Sequence, residues 1–363
     1  MKNKIIFFCP SIEIGGVEKN LFKVVNFFSF KKKEDISIIS FDKKNIKGKF
    51  NKNIEFIDAN FLDIKNLPHF AKVLFCIISY FLKYGLQKNL TFVSFQSNLY
   101  FILLAKLTRN KIVARSNAAP NYYISNLFKL RIFQIIYFLA DKIIVNSKDF
   151  KKIFIKKFKV KPIVIYNPSF KKENLKFEKI SKIGGKNKIN FLNVARLTDQ
   201  KNQIIILKAL SEFDNLNYNL IIIGNGSKKN ELEKYISSHN LKNKVKIISN
   251  ITNPKKFLKK CDVFILSSKF EGLPNVLIEA QMTKKFIISS NCPTGPREIL
   301  KNGNAGYLFK NNDYRDLKKK IKKFMINKDS YEIKTKIKLG FKNLDRFDET
   351  KNLEKYYKEI INL

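Results

Sequence analysis

Two glutamates flank a predicted helix start, and together they indicate a binding or catalytic site. Glu271 and Glu279 lie in the run FEGLPNVLIEA at 270–280. The apolar run at 263–268 before them has the length of a strand buried on both faces. Pro274 suits the first position of a helix, where its missing N–H costs nothing. The pattern predicts Glu271 beyond a strand's carboxyl end and Glu279 about two turns into the helix.

The predicted helix start is an anion site, because its first backbone N–H groups have no partner within the helix. Those donors belong to Asn275, Val276 and Leu277. Two carboxylates beside an anion site suit a sugar nucleotide, whose hydroxyls need acceptors and whose diphosphate needs donors. The ordinary alternative is a solvated loop glutamate followed by an outward-facing helix glutamate.

The run at 270–280 resembles the E-x7-E motif of the retaining GT-B glycosyltransferases of family 4, in its form E-G-L-P-N-V-x-I-E-A. This resemblance implies that Glu271 contacts the donor sugar and that Glu279 holds the nucleotide ribose. A carboxylate in a cleft contributes little to a core. We therefore expect Glu271→Ala to abolish turnover and to leave the melting temperature nearly unchanged.

A second group of charges follows the predicted strand at 189–194, in the run NVARLTDQKN. Arg196 offers a planar fork of donors and Lys201 a point charge, which together can clamp a diphosphate. Arg196 is the more informative, because only seven of the 71 basic residues are Arg. The run resembles the family's G/A-R-L-x-x-x-K-N segment, whose Arg and Lys bind the donor diphosphate. The alternative is a structural surface pair.

Three further loops match the same family. Gly15 and Gly16 precede a helix and resemble its G-G-x-E loop, which faces the donor. Gly224 resembles the G-x-G that lines its nucleotide site. Asn250 and Ile251 occupy the place where family members hold the base through backbone groups. Each of these loops is otherwise an ordinary turn between a strand and a helix.

One difference from the family concerns its first-domain histidine, which faces the donor sugar near the end of a strand. The corresponding stretch here has Arg115 and Asn117, and these two residues are the candidates for its place. His69 lies in a helical pattern and His239 in a polar stretch, so we expect neither to take the role.

Alternating strands and helices predict two parallel sheets covered by helices. The resemblance implies the GT-B fold, an α/β architecture of two doubly wound Rossmann-like domains facing each other across a cleft. We expect an acceptor-side domain at 1–168, a linker at 169–188, a nucleotide-sugar domain at 189–345, and a helix at 346–363 crossing back to the first domain. Predicted strands fall at 4–10, 36–41, 54–58, 90–95, 111–114, 142–146, 163–166, 189–194, 220–224, 244–249, 263–267 and 286–290.

The composition predicts a protein that favours anionic surfaces, since its formal net charge is +41. Lys31, Lys32 and Lys33 directly follow Phe27, Phe28 and Phe30, and aromatic-rich helices are expected at 67–84 and 127–140. We expect these groups to meet an anionic membrane, and the alternative is that the aromatics form the core and the lysines are merely solvated. No apolar run reaches the ~20 residues that a transmembrane helix needs. The expected location is therefore the cytoplasm, peripheral on the inner face of the plasma membrane.

The function implied by the resemblance is transfer of a sugar from a nucleotide diphosphate, UDP favoured, to a glycan or polyprenyl-diphosphate-linked glycan. Retention would follow from same-face attack, and the absence of a D-x-D stretch implies no metal and no further cofactor. A segment at 291–299 resembles bacterial members that build surface glycans. The alternatives are a GT-B epimerase, a transferase with a soluble acceptor, and a basic nucleic-acid-binding protein. No Arg-rich recognition element favours the last, so no nucleic-acid partner is expected.

Overall fold

The computed structural model describes residues 3–12, 16–42, 48–65, 67–117, 124, 126–171, 188–213, 216–251 and 253–363. The chain divides into two units. Unit 1 comprises Met1–Pro168 with Glu349–Leu363, and unit 2 comprises Ser169–Asp348. Gly15 and most of the expected linker lie outside the described residues.

Unit 1 is built on a sheet of seven parallel strands in the order β3-β2-β1-β4-β5-β6-β7. All seven strands expected from the apolar runs are present, each within two residues at either end. Its elements are β1 Lys4–Phe8, α1 Gly16–Lys31, β2 Asp35–Ser40, β3 Glu55–Asp58, α2 His69–Tyr84, β4 Thr91–Ser94, α3 Asn98–Leu107, β5 Lys111–Ser116, α4 Leu127–Phe138, β6 Lys142–Val145, α5 Lys148–Phe158 and β7 Ile163–Val164, with α13 Glu349–Ile361 from the end of the chain.

Helices cover both faces of this sheet because side chains alternate between faces along each strand. Ile6 and Phe8 of β1 join one buried cluster with α2, α3, α4 and α5. Ile5 and Phe7 join the other, with α1 and α13. The residues of unit 1 thus form a three-layer sandwich.

The expectation that Phe27, Phe28 and Phe30 meet a membrane together with Lys31, Lys32 and Lys33 is wrong for Phe28, whereas Phe30, Lys32 and Lys33 are exposed. Phe28 is fully buried in the core between β1 and α13, and Phe27 packs against the same core. Lys31 pairs with Glu354 of α13 at 2.7 Å. Among the described residues, no helix combines the length and the apolar character needed to cross a bilayer.

Unit 2 is built on a sheet of six parallel strands in the order β10-β9-β8-β11-β12-β13. The sequence did not predict the edge strand β13, which is only three residues long, or the helix α12, in which lysines interrupt the apolar positions. Its elements are β8 Ile189–Val194, α6 Ile204–Ser211, β9 Tyr218–Ile223, α7 Lys229–Ser238, β10 Val245–Ile248, α8 Lys255–Lys260, β11 Val263–Leu266, α9 Asn275–Met282, β12 Phe286–Ser290, α10 Pro296–Ile299, β13 Tyr307–Phe309, α11 Tyr314–Asn327 and α12 Tyr331–Lys342.

Candidate functional site

The candidate site of unit 2 lies where the strand order of its sheet reverses. The chain runs outward from β8 through β9 to β10, and then from β11 on the other side of β8 to β13. Adjacent strands whose connections leave in opposite directions open a crevice beyond their carboxyl ends, where ligands of such sheets bind. Arg196 and Lys201 follow β8, and Glu271 follows β11. The topology therefore brings together three residues that the sequence separates.

Glu271 and Lys201 form an ion pair at this point. Lys201 Nζ lies 2.6 Å from Glu271 Oε1, and Ser268 Oγ donates to the same oxygen at 2.6 Å. Glu271 is only 7% exposed. The sequence motifs assign Glu271 to the sugar and Lys201 to the diphosphate, and they do not predict the pair. An ammonium group carries three donors, so Lys201 can hold Glu271 and still donate to a phosphate.

Backbone contacts fix the loops that carry the pair. Ser267 Oγ donates to the carbonyl of Lys201 at 2.8 Å, and Lys269 N–H donates to the carbonyl of Gln200 at 2.8 Å. The hydroxyl of Thr294, after β12, donates to the carbonyl of Glu271. Both side chains are therefore presented from loops that are themselves held in place.

Arg196 lies on the same loop as Lys201 and is exposed, while hydrogen bonds hold its backbone in place. Its carbonyl accepts from Gln203 Nε2 at 3.0 Å, and the next residue, Leu197, donates its N–H to the carbonyl of Asn225 at 2.7 Å. Gly224 allows this approach, because a Cβ there would overlap the carbonyl oxygen of Ala195. Close packing of two loops thus requires Gly224, whether or not it contacts a ligand.

Hydrogen bonds also join the loops that follow β9 and β10. Asn225 Nδ2 donates to Asn250 Oδ1 at 2.6 Å, and Ser249 Oγ donates to the carbonyl of Gly224 at 3.3 Å. Asn250 is exposed, with a φ of 61°, and Ile251 beside it is half-buried. The structure therefore places the residues expected at the base next to the Arg196 loop.

Helix α9 corrects two details of the sequence analysis. It begins at Asn275, so half-buried Glu279 lies about one turn into the helix and not two. The N–H of Leu277 donates to the carbonyl of Pro274 at 3.0 Å, so this donor is used within the first turn. Only Asn275 and Val276 of the three expected donors remain candidates for a ligand's phosphate.

Unit 1 has the same strand reversal between β1 and β4, with different residues around it. Gln96 Nε2 donates to the carbonyl of Ser11 at 2.9 Å and to Glu18 Oε1 at 3.2 Å. His69, the first residue of α2, lies 3.1 Å from Ser11 Oγ and 2.7 Å from Ser97 Oγ through its two ring nitrogens. We call these five residues the unit 1 cluster.

The sequence does not predict the unit 1 cluster, and the helical pattern around His69 argues against a functional role for this residue. The available signal was the position of its polar residues, since Ser11, Gln96 and Ser97 all come shortly after strands that neighbour each other in the sheet. Gly16 begins α1 beside this cluster, whereas Gly15 is not among the described residues.

Arg115 does not face a ligand. It is 1% exposed, and its guanidinium donates to Tyr356 Oη at 2.5 Å, to Asn167 Oδ1 at 2.8 Å and to Asn117 Oδ1. Asn117 in turn donates to the carbonyl of Phe95 at 2.7 Å. Neither candidate thus takes the place of the family's histidine. Arg115 instead holds α13 against the sheet of unit 1.

The four cysteines carry protonated thiols. Burial raises the pKa of Cys261 and of Cys292 to about 12, and raises those of Cys9 and Cys76 as well. The charge of Glu271 adds to the shift at Cys292. Within the described part of the chain, no three His, Cys, Asp or Glu side chains are placed to hold a metal ion.

Solved structures show the class of fold. The structure of the Anabaena HepE protein in complex with UDP covers 99% of this chain and 100% of its own, with a TM-score of 0.79 and 18% sequence identity. Together with the two parallel sheets, this similarity shows that the protein has the two-domain α/β GT-B fold.

Sequence comparisons then identify the enzyme class. Residues 176–338, a little under half of the chain, match the family described as Glycosyl transferases group 1. An uncharacterized glycosyltransferase of Methanocaldococcus jannaschii is 36% identical over 198 residues, which are 51% of this chain and 49% of that relative. The chain thus spans about half of that relative's length. The protein is a glycosyltransferase.

A third relative matches almost the whole chain. It is the N-acetylgalactosamine-N,N'-diacetylbacillosaminyl-diphospho-undecaprenol 4-alpha-N-acetylgalactosaminyltransferase of Campylobacter jejuni, 26% identical over 368 residues. The match covers 97% of this chain and 99% of that relative.

Proposed function

We propose that the protein is a retaining transferase of the family 4 type. In this proposal it moves a sugar from a nucleotide diphosphate to a polyprenyl-diphosphate-linked glycan during surface polysaccharide, lipopolysaccharide or glycoprotein glycan synthesis. The observation that carries the proposal is the Lys201–Glu271 pair beside Arg196 at the strand reversal of unit 2. This arrangement offers cations for a diphosphate and a carboxylate for sugar hydroxyls.

The proposed reaction forms a bond between the acceptor hydroxyl oxygen and the anomeric carbon of the sugar. The bond from that carbon to the diphosphate oxygen breaks, and the acceptor proton leaves on the diphosphate. Attack on the same face as departure retains configuration without a protein nucleophile. Negative charge develops on the departing diphosphate, where Arg196, Lys201 and the N–H groups of Asn275 and Val276 stabilise it.

The remaining residues hold the substrates in this proposal. Glu271 accepts from the sugar hydroxyls and holds Lys201 in place, and Glu279 accepts from the ribose. Gly224, Asn250 and Ile251 lie against the nucleotide. Cys292 is the nearest thiol to Glu271, and its raised pKa keeps it neutral and unsuited to attack.

Two similar proteins support the choice of substrates. HepE was solved in complex with UDP, and the Campylobacter relative is named for a diphospho-undecaprenol acceptor. We therefore favour a UDP-sugar as donor and a lipid-linked glycan as acceptor. Such an acceptor places the reaction at the inner face of the plasma membrane.

The test is a panel of UDP- and GDP-sugars assayed with and without a polyprenyl-diphosphate-linked glycan. Binding is measured first, since a donor at a hundred times its dissociation constant adds roughly 2.7 kcal/mol to the free energy of unfolding. We expect acceptor-dependent release of UDP and an α-linked product from an α-linked donor. Inversion at the anomeric carbon, or release of nucleotide without transfer, would contradict the proposal.

A further inference from the structure

We propose that the outer surface of α2, α3, α4 and α5 docks the protein on an anionic lipid bilayer. We call this surface the docking face. The inference deepens the proposed function, on which its biological meaning rests, because a lipid-linked acceptor lies at such a surface.

The docking face carries most of the exposed apolar surface of the described residues. Twenty-one large hydrophobic side chains are exposed, and sixteen of them lie between Phe70 and Ile155. Of these twenty-one described side chains, two belong to unit 2, Ile326 and Tyr331. A concentration of this kind marks an interaction site. On the helices they are Phe70, Leu74, Ile78, Phe81 and Leu82 of α2, Tyr100, Leu103 and Leu107 of α3, Leu127, Phe128, Ile132, Ile135 and Phe138 of α4, and Ile155 of α5.

Their spacing makes this surface continuous along the helices. Phe70, Leu74, Ile78 and Leu82 recur every four residues and share one side of α2, while Val73, Cys76 and Tyr80 of the same helix are buried against the sheet. Helix α2 is therefore apolar on both its inner and its outer side, although it is too short to cross a bilayer.

The charges of this region favour an anionic partner. Residues 64–140 contain no Asp or Glu and ten Lys or Arg, of which Arg115 is buried and does not contribute to the surface. Three of these lysines pair with acidic residues from outside this stretch, Lys72 with Asp42, Lys83 with Glu55 and Lys106 with Asp141. Helix α5 adds lysines at one end, where Lys148, Lys151, Lys152 and Lys161 line a groove of about 600 Å³. Apolar and basic groups together are the composition that binds an anionic interface.

A second copy of the chain fits this surface less well. Two docking faces brought together would oppose cations with cations at short distance. A bilayer with acidic headgroups satisfies both the apolar side chains and the lysines. The proposed partner is therefore a lipid bilayer, and self-association is an outcome that the test can detect.

The first experiment compares two charge reversals of equal size. Lys152→Glu with Lys156→Glu changes two exposed lysines of α5, and Lys32→Glu with Lys33→Glu changes two exposed lysines after α1, on the opposite side of the sheet. Flotation with phosphatidylcholine vesicles, with and without phosphatidylglycerol, measures binding. We expect the α5 pair to reduce binding to anionic vesicles about tenfold or more, and the α1 pair to reduce it much less.

The second experiment uses the absence of Trp from the chain. Phe128→Trp places a reporter on the docking face, where this residue is 76% exposed, and Tyr331→Trp places one on unit 2, where it is 85% exposed. Anionic vesicles should shift the emission of the first variant to the blue and leave the second unchanged. Brominated lipid should quench only the first.

Equal losses for the two charge reversals, or equal responses of the two reporters, would overturn the inference. So would a dimer that forms without lipid and is broken by Phe128→Gln. These vesicles contain no acceptor, so the outcome is independent of transfer. Binding without transfer activity would leave the docking face and remove the proposed function, and transfer to a soluble acceptor analogue without binding would do the reverse.

Discussion

The strand reversals of the two units differ in chemistry although the order of their first six strands is the same. Unit 2 places a buried ion pair there, Lys201 with Glu271, next to the exposed guanidinium of Arg196. Unit 1 places a mostly neutral group there, in which His69 bridges Ser11 and Ser97 and Gln96 bridges the Ser11 carbonyl and Glu18. The first arrangement suits a charged donor, and the second suits hydroxyl groups.

The parallel sheet therefore determines where a site can form, and the loops determine its function. Each sheet opens a crevice at its reversal because parallel strands end together there. The residues after each strand are free to differ, since they take no part in the ladder of hydrogen bonds. If unit 2 holds the donor, the unit 1 cluster is the natural place for the acceptor.

The largest expected effect comes from breaking the buried pair of unit 2. Glu271→Ala should reduce turnover about a thousandfold or more and leave Lys201, whose side chain is 16% exposed, without its carboxylate partner. Loss of one partner of a buried pair costs about 3 kcal/mol or more, so the structure replaces the expectation of an unchanged melting temperature. Transfer assays and urea unfolding measure the two effects.

The matched control is Asp199→Ala, which breaks the 2.8 Å pair with Lys269 on the same two loops. Asp199 is exposed, so its loss should leave stability unchanged within error. Equal stability of the Glu271→Ala and Asp199→Ala proteins would contradict the reading of a buried pair.

The next effect concerns the diphosphate. Arg196→Ala should lose about 2–4 kcal/mol of transition-state stabilisation, roughly thirtyfold to a thousandfold in rate. Arg196→Lys should recover part of this, because lysine supplies charge without the bidentate fork. Steady-state kinetics with saturating acceptor measures the loss. Arg315→Ala on α11 is the control and should be silent, and three equally active proteins would exclude the role.

A smaller effect is expected at Glu279. Glu279→Ala should weaken donor binding roughly tenfold to a hundredfold, the value of one or two hydrogen bonds to a charged group, and change kcat little. Isothermal titration with UDP measures the dissociation constant, and Glu279→Gln should lie between the two proteins. An unchanged dissociation constant for UDP would remove Glu279 from the site.

The smallest effect should separate the two units. His69→Ala or Gln96→Ala should raise the KM for the acceptor by a few-fold to about tenfold, as expected for one neutral hydrogen bond, and leave UDP binding unchanged. The control is His239→Ala, which removes a histidine stacked on Tyr235 in unit 2. A change in donor affinity for His69→Ala would place the donor, and not the acceptor, at unit 1.

The elements of the fold were largely predictable, because strands buried on both faces appear as apolar runs between polar turns. The edge strand β13 was not predicted because it is only three residues long, and α12 was not predicted because lysines interrupt its apolar positions. Residue type and motif selected Glu271, Arg196 and Lys201 as candidates. The contact between Lys201 and Glu271 was not predicted, since it joins residues 70 positions apart in the chain.

The amino-acid sequence alone specifies the chemical groups and the secondary-structure elements that carry them. Which groups come into contact depends on the tertiary structure, because strand order is fixed by packing of the whole sheet and not by any local pattern. It placed His69 beside Ser11 and Ser97, and it buried Phe28 while leaving Phe128 exposed. A phenylalanine has the same apolar character at both positions, and which one meets water depends on the layers that cover it.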